Sequence, residues 1–121
     1  MNPLYATLAL VLTGVGAACG SGPGPSVEDA VRSYSAAFLS GKGEKAARML
    51  SARCDTPERR DQVIRASKLA RTLYGQARIV SVKAKVDGDL AAVTYRFDQP
   101  AIDQENQPWV LESGAWRYNK C

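Results

Sequence analysis

The side chains with the clearest capacity for chemistry are Cys19, Cys54 and Cys121, in a sequence that contains no histidine. No cysteine lies at the spacing of a metal-binding motif, and neither a nucleophile elbow nor a phosphate-binding loop is present. The 12 acidic residues fall in predicted caps, turns, an acidic loop and the outer arc of one helix, not on an inward apolar stripe. The sequence therefore predicts no catalytic, cofactor-binding or metal-binding residue.

Cys19 follows a segment that is typical of an export signal. Residues 1–18 carry no charged side chain, and residues 4–12 form an apolar core of the usual length. Residues 16–19, Gly-Ala-Ala-Cys, resemble the lipobox of bacterial lipoproteins, in which the cysteine carries a diacylglycerol and becomes the mature N-terminus. This resemblance predicts a signal peptide at 1–18, and a lipidated Cys19 opening a flexible Gly/Ser/Pro tether at 19–25. An uncleaved membrane anchor and a secreted protein cleaved after Ala18 are the alternatives.

Cys54 and Cys121 remain as a pair if Cys19 carries lipid. An exported domain folds in an oxidising compartment, where two such cysteines form a disulfide by default. The bond would join the end of the helical half of the chain to its last residue. Two free thiols are the alternative.

The residues after the tether predict three helices. The first begins at the N-cap Ser26 and ends at Gly41, the second spans residues 44–50, and the third begins at Thr56-Pro57 and ends at Gly75. The third helix has an apolar arc of Val63, Ala66, Leu69, Ala70, Leu73 and Tyr74. Its basic arc consists of Arg60, Arg65, Lys68 and Arg71. The basic arc is either a solvated face or a contact for anionic headgroups or a cell-wall polymer.

Residues 78–97 predict a β-hairpin with a type I′ turn at Asp87-Gly88. In that register Val82 faces Val93 and Val80 faces Tyr95 on an apolar side of the ribbon. Residues 98–107 are polar and acidic, and they predict a loop or an irregular strand extension.

A second hairpin is predicted around Ser113-Gly114, with Leu111 opposite Trp116 and Trp109 opposite Tyr118. These four side chains either form core or wall a ligand pocket between the sheet and the helices. The candidate pocket-lining residues are Tyr34, Tyr95, Trp109, Leu111, Trp116 and Tyr118.

The length of 121 residues allows one domain, which we place at residues 26–121. The formal charge of +4 is compatible with weak attraction to anionic lipid but is not evidence for nucleic-acid binding.

The order of these elements resembles the NTF2-like superfamily, which has a cone-shaped α+β fold also described as cystatin-like. The likeness rests on residues 31–41 with 46–51, on residues 86–93 and on residues 108–118. It covers residues 26–121 and points to small exported bacterial lipoproteins of this fold. It implies N-terminal helices packed on a curved antiparallel sheet.

Enzymes of this superfamily, such as ketosteroid isomerase, place an acid or base inside the cone, and no such residue carries over to this sequence. The resemblance therefore implies a non-catalytic domain, anchored at the outer face of the cell membrane, that binds a small apolar ligand or an envelope protein. It also implies that the domain can form a homodimer. No cofactor and no nucleic-acid partner are expected. The alternative is an atypical enzyme of the isomerase or cyclase type that acts through Tyr34, Tyr95 or an arginine such as Arg96.

Overall fold

The computed structural model describes residues 24–121, so the predicted signal peptide and Cys19 lie outside the described residues. Three helices come first: α1 (Val27–Leu39), α2 (Gly43–Ala47) and α3 (Pro57–Tyr74). A sheet of β1 (Ile79–Asp87), β2 (Leu90–Phe97), β3 (Gln104–Glu112) and β4 (Ala115–Tyr118) follows, with a 3-10 turn at Pro100–Ile102 between β2 and β3. All neighbouring strands are antiparallel and lie in chain order. The predicted α+β architecture is confirmed.

Side-chain caps fix the starts of the two long helices. The Ser26 hydroxyl accepts a hydrogen bond from the Asp29 N–H, and the Thr56 hydroxyl accepts one from the Arg59 N–H, each at 3.1 Å. Pro57 occupies the first position of α3, where its missing N–H costs nothing. Both predicted starts are therefore confirmed.

The second helix is shorter than predicted, because the chain beyond it pairs with the last strand. The Tyr118 N–H donates to the Met49 carbonyl at 2.8 Å, and the Ser51 N–H donates to the Tyr118 carbonyl at 2.9 Å. Leu50 thereby forms an isolated parallel bridge with β4. A backbone that makes these bonds cannot also continue the helix to Leu50.

The first hairpin pairs two residues away from the predicted register. Its loop is Gly88-Asp89, so Val82 lies opposite Tyr95 and Asp87 opposite Leu90. Gly88 has a φ of +58°, and glycine at the first loop position is what a type II′ turn requires. The prediction of a type I′ turn at Asp87-Gly88 is wrong, but a shift of two residues leaves the side chains from Ser81 to Asp87 on their predicted faces.

Val80 lies on the opposite face from the one predicted. Ile79 pairs with Phe97 and Ser81 with Arg96, so Val80 is the extra residue of a β-bulge. A bulge reverses the alternation of inward and outward side chains beyond it. Val80 is therefore 63% exposed, and Ile79 packs against the core in its place.

The second hairpin has the predicted register. Ser113 and Gly114 have φ values of +50° and +79°, as a type I′ turn requires, and Trp109 pairs with Tyr118. The acidic segment before this hairpin is partly strand, because β3 already begins at Gln104.

The core lies between α1 and the sheet. Trp109 of β3 is fully buried, and its ring centroid is 5.8 Å from that of Tyr34 and 5.3 Å from that of Tyr118. α3 packs on α1 and α2, whereas its contacts with the sheet are sparse. In the described part of the chain, no helix combines the length and hydropathy needed to cross a membrane.

Candidate functional site

A cavity of about 390 Å³ lies where α3 stands apart from the sheet. Side chains of α1 form its floor, α3 forms one wall, and the end of β2 with the 3-10 turn forms the other. The volume is within the range of small-molecule sites, and most of the lining is apolar. The aromatic and aliphatic lining residues are Tyr34, Phe38, Leu39, Val63, Ala66, Leu69, Ala70, Leu73, Tyr74, Tyr95, Phe97, Ile102 and Tyr118.

Three tyrosines from three different elements converge in this cavity. Tyr34 lies on the buried stripe of α1, Tyr95 on the inner face of β2 and Tyr118 at the end of β4. The Tyr118 hydroxyl donates a hydrogen bond to Gln107 Oε1 at 2.8 Å. Within residues 24–121, no hydrogen bond involves the hydroxyl of Tyr34 or Tyr95, so both remain available to an occupant.

Burial keeps these phenols in the neutral form. Desolvation is the largest cause that raises the pKa of Tyr34 and of Tyr95 well above the ordinary value for tyrosine. The nearby Tyr118 raises the pKa of both further, and Arg59 partly opposes the shift at Tyr34. Burial likewise raises the pKa of Tyr118, again against the effect of Arg59. At neutral pH the cavity therefore presents protonated hydroxyls that can donate hydrogen bonds.

Arg59 is the charged residue of the cavity wall. The first turn of α3 positions it, and its guanidinium donates to Gln62 Oε1 at 3.3 Å and to the Lys120 carbonyl at 3.1 Å. Its Nε is buried and has no hydrogen-bond partner among the residues described. Arg59 also lies close enough to Tyr34 and Tyr118 to influence their ionisation.

The mouth of the cavity is an apolar rim on α3. Leu69 and Leu73 line the cavity yet are 60% and 57% exposed. The apolar arc predicted for this helix is thus split, since Val63 and Ala70 are buried and Ala66, Leu69 and Leu73 are not. The split follows from the packing of α3 on the other helices, which leaves these side chains beside the gap.

Half of the predicted pocket residues line the cavity. Tyr34, Tyr95 and Tyr118 do, but Trp109, Leu111 and Trp116 lie outside it. Trp109 is core beneath Tyr34, and its Nε1 lacks a partner in the described chain. Leu111 and Trp116 form the next cross-strand pair toward the Ser113-Gly114 turn, away from α3.

Arg96, the arginine considered for a catalytic role, does not line the cavity. It forms ion pairs with Asp103 and Glu105 at 3.3 Å each. The residue that sequence reasoning missed is Arg59. It precedes Val63 by four positions, and this helical spacing placed it on the same face as the apolar arc.

The C-terminus is held beside the polar end of the cavity. Cys54 and Cys121 form a disulfide, with their Cα atoms 5.5 Å apart. Asn119 accepts hydrogen bonds from the Ser51 hydroxyl at 2.8 Å and from Arg53 Nε at 2.7 Å. These contacts fix the position of Tyr118 relative to the start of α3.

Comparison with known proteins bears on the fold. No protein-family model matches the chain. No curated protein sequence matches it significantly. The fold is similar to a crystal structure described as a "Putative NTF2-like transpeptidase" from Campylobacter jejuni, with a TM-score of 0.60 and 11% sequence identity over 80% of this chain and 100% of that one. The chain therefore has the NTF2-like α+β fold that its sequence predicted.

Proposed function

We propose that this protein is an exported, lipid-anchored domain that binds a small, largely apolar molecule at the outer face of the cell membrane. The cavity between α3 and the sheet carries the proposal. Its volume and apolar lining suit a small-molecule site, and the free hydroxyls of Tyr34 and Tyr95 would orient a polar group of the occupant.

The character of the lining favours binding over catalysis. A general base works best with a pKa near the operating pH, and the buried tyrosines have their pKa raised far from it. The described lining contains no Asp, Glu, His or Lys. An isomerase or cyclase remains the second candidate, because Tyr34 and Tyr95 could donate hydrogen bonds to a developing oxyanion.

Acyl transfer, which the name of the Campylobacter protein suggests for that protein, is less favoured here. It requires a nucleophile with an adjacent activating group. Cys54 and Cys121 are joined to each other, and Ser35 at the cavity wall has no base among the lining residues described.

Binding can be tested with Nile red, a neutral apolar dye whose fluorescence rises in an apolar site. We expect the purified protein to bind the dye, and Ala66→Trp to weaken binding about tenfold or more, because Ala66 lines the cavity and the larger ring would fill it. Ala52→Trp is the control, since Ala52 is exposed and does not line the cavity. Unchanged or increased dye binding in Ala66→Trp would contradict the proposal, because it would indicate adsorption to surface apolar groups.

Export and anchoring are tested by intact mass, measured with and without reductant, on protein from the membrane fraction of the native host. The disulfide supports an oxidising compartment. We expect the mass of residues 19–121 plus a diacylglycerol, with a gain of two hydrogens on reduction. The bare mass of residues 19–121 would indicate secretion without lipid, and the mass of the full chain would remove the anchoring argument.

A further inference from the structure

The charge on the cavity wall has one sign. Arg59 is the single charged side chain among the described lining residues, and the other polar members are tyrosines, Ser35, Gln62 and Gln104. An occupant that lies beside Arg59 therefore meets a positive charge with no acidic partner on the wall. A negative charge in the occupant would be complementary to this site, and a positive one would be repelled.

Polarity is also segregated along α3. Arg59 and Gln62 lie on its first turns, and Leu69 and Leu73 lie near its end. At 1.5 Å per residue, Arg59 and Leu73 are separated by about 21 Å of helix. Tyr118 lies near the Arg59 end, because Arg59 donates to the carbonyl of Lys120, two residues further on, and the ring centroid of Tyr34 is 5.0 Å from that of Tyr118. The cavity is thus polar and cationic beside the first turns of α3 and apolar at its rim, where Leu69 and Leu73 are exposed.

We propose that the occupant is an amphipathic anion, with a carboxylate or phosphate head at Arg59 and the tyrosine hydroxyls and an apolar chain along α3 to Leu69 and Leu73. The inference rests on the proposed binding function and adds the chemical class of the ligand. The head would accept a hydrogen bond from the buried Arg59 Nε, which lacks a partner within residues 24–121. The hydroxyls of Tyr34 and Tyr95 would donate to the remaining oxygen lone pairs.

The apolar rim would bind the chain of the ligand, as Arg59 and the tyrosine hydroxyls would bind its head. Leu69 and Leu73 leave more than half of their surface in water when the cavity is empty. A chain lying against both would remove that surface from water. A short polar anion would lack this contribution, so the chain is part of the recognition.

The test compares probes that share one ten-carbon chain and differ in the head: decanoate, decyl phosphate, decanol and decyltrimethylammonium. Each displaces Nile red from the purified protein. We expect decanoate or decyl phosphate to bind about tenfold or more tightly than decanol, since a hydrogen-bonded charge pair contributes at least that factor. The cation should bind most weakly. Whichever anion binds more tightly identifies the head as a carboxylate or a phosphate.

Arg59→Met should abolish the preference for the anion, so that decanoate and decyl phosphate bind no more tightly than decanol. Arg60→Met is the matched control, because Arg60 is the next residue, pairs with Asp55 at 2.6 Å and does not line the cavity. If Arg59→Met fails to fold, the double variant Tyr34→Phe/Tyr95→Phe should reduce the preference, since it removes the two free donors with little change in volume.

Two results would overturn the inference while the binding proposal stands. One is equal affinity for decanoate, decyl phosphate and decanol in a protein that binds Nile red. The other is an equal loss of preference in Arg60→Met, which would assign it to the general positive charge. If neither Nile red nor any decyl probe binds, the proposed function itself fails, and the inference fails with it.

Discussion

Three phenols buried in one cavity couple the stability of the domain to alkaline pH. An unfolded tyrosine loses its proton near pH 10, whereas burial raises the pKa of Tyr34, Tyr95 and Tyr118 in the folded protein. Above about pH 10 the folded state therefore holds more protons than the unfolded state, and the free energy of unfolding falls as pH rises. The loss approaches about 1.4 kcal/mol per pH unit for each such tyrosine.

Tyr95→Phe tests this coupling at the residue scale. The Tyr95 hydroxyl has no partner in the described chain, so we expect the variant to match the original within about 1 kcal/mol at pH 8. Between pH 10 and pH 11 its stability should fall less steeply, because one raised titration is gone. Urea denaturation at each pH measures the difference, and parallel stability curves for the two proteins would contradict the assignment.

Sequence patterns located the three tyrosines but not their neighbours. Helical spacing identified Tyr34, and strand alternation identified Tyr95 and Tyr118, because both periodicities decide which face is buried. They do not decide which helix lies over which strand pair. Leu111 and Trp116 lie outside the cavity for that reason, and no sequence pattern singled out Arg59 as one of its lining residues.

At the scale of elements, the two hairpins show what turn residues determine. The residues around Ser113-Gly114 allow the turn to be centred at one position only, and the register of the second hairpin was correctly predicted. Asp87, Gly88 and Asp89 allow the glycine to be the first or the second loop residue, and only the tertiary structure selects the first. The bulge at Val80 could not be predicted either, because it depends on how β1 bends around α1.

The contact between α2 and α3 depends on the absence of a side chain at Gly43. A Cβ there would lie 2.6 Å from Ile64 Cα and 3.0 Å from Ser67 Cβ. Glycine-to-alanine changes usually favour a helix by about 1 kcal/mol. Here we expect Gly43→Ala to destabilise by about 1–3 kcal/mol, since backbone atoms of α3 would have to move.

The urea midpoint of Gly43→Ala provides the measurement, and Lys45→Ala on the exposed side of the same helix is the control, expected within about 0.5 kcal/mol of the original. If the Gly43→Ala variant were more stable than the original protein, α3 would be able to move away from α2 without a loss of stability, and the prediction would be contradicted. The same displacement would alter the cavity wall, so Nile red affinity should change together with stability.

For the whole molecule, the order of elements was sufficient to predict the fold. Capped helices followed by alternating strands allow few arrangements that bury one face of each. The cavity could not be predicted in this way, because it depends on α3 packing on α1 and α2 and not on the sheet. The packing of α3 on the other helices depends on close approaches such as the one at Gly43, and the spacing of apolar residues in the sequence does not reveal them.

The disulfide joins positions 67 residues apart and closes the molecule around the cavity. In the chain-entropy model, a loop of that size restricts the unfolded chain enough to stabilise the domain by about 4 kcal/mol.

We expect the double variant Cys54→Ala/Cys121→Ala to lose most of this stability in urea denaturation. The wild-type protein in reductant should unfold at nearly the same urea midpoint as the double variant. This comparison controls for the effect of the alanine side chains. An unchanged midpoint would mean that the hydrogen bonds to Asn119 hold the C-terminus without the bond. Because Arg59 donates to the carbonyl of Lys120, next to Cys121, the variant should also bind Nile red more weakly if the C-terminus moves.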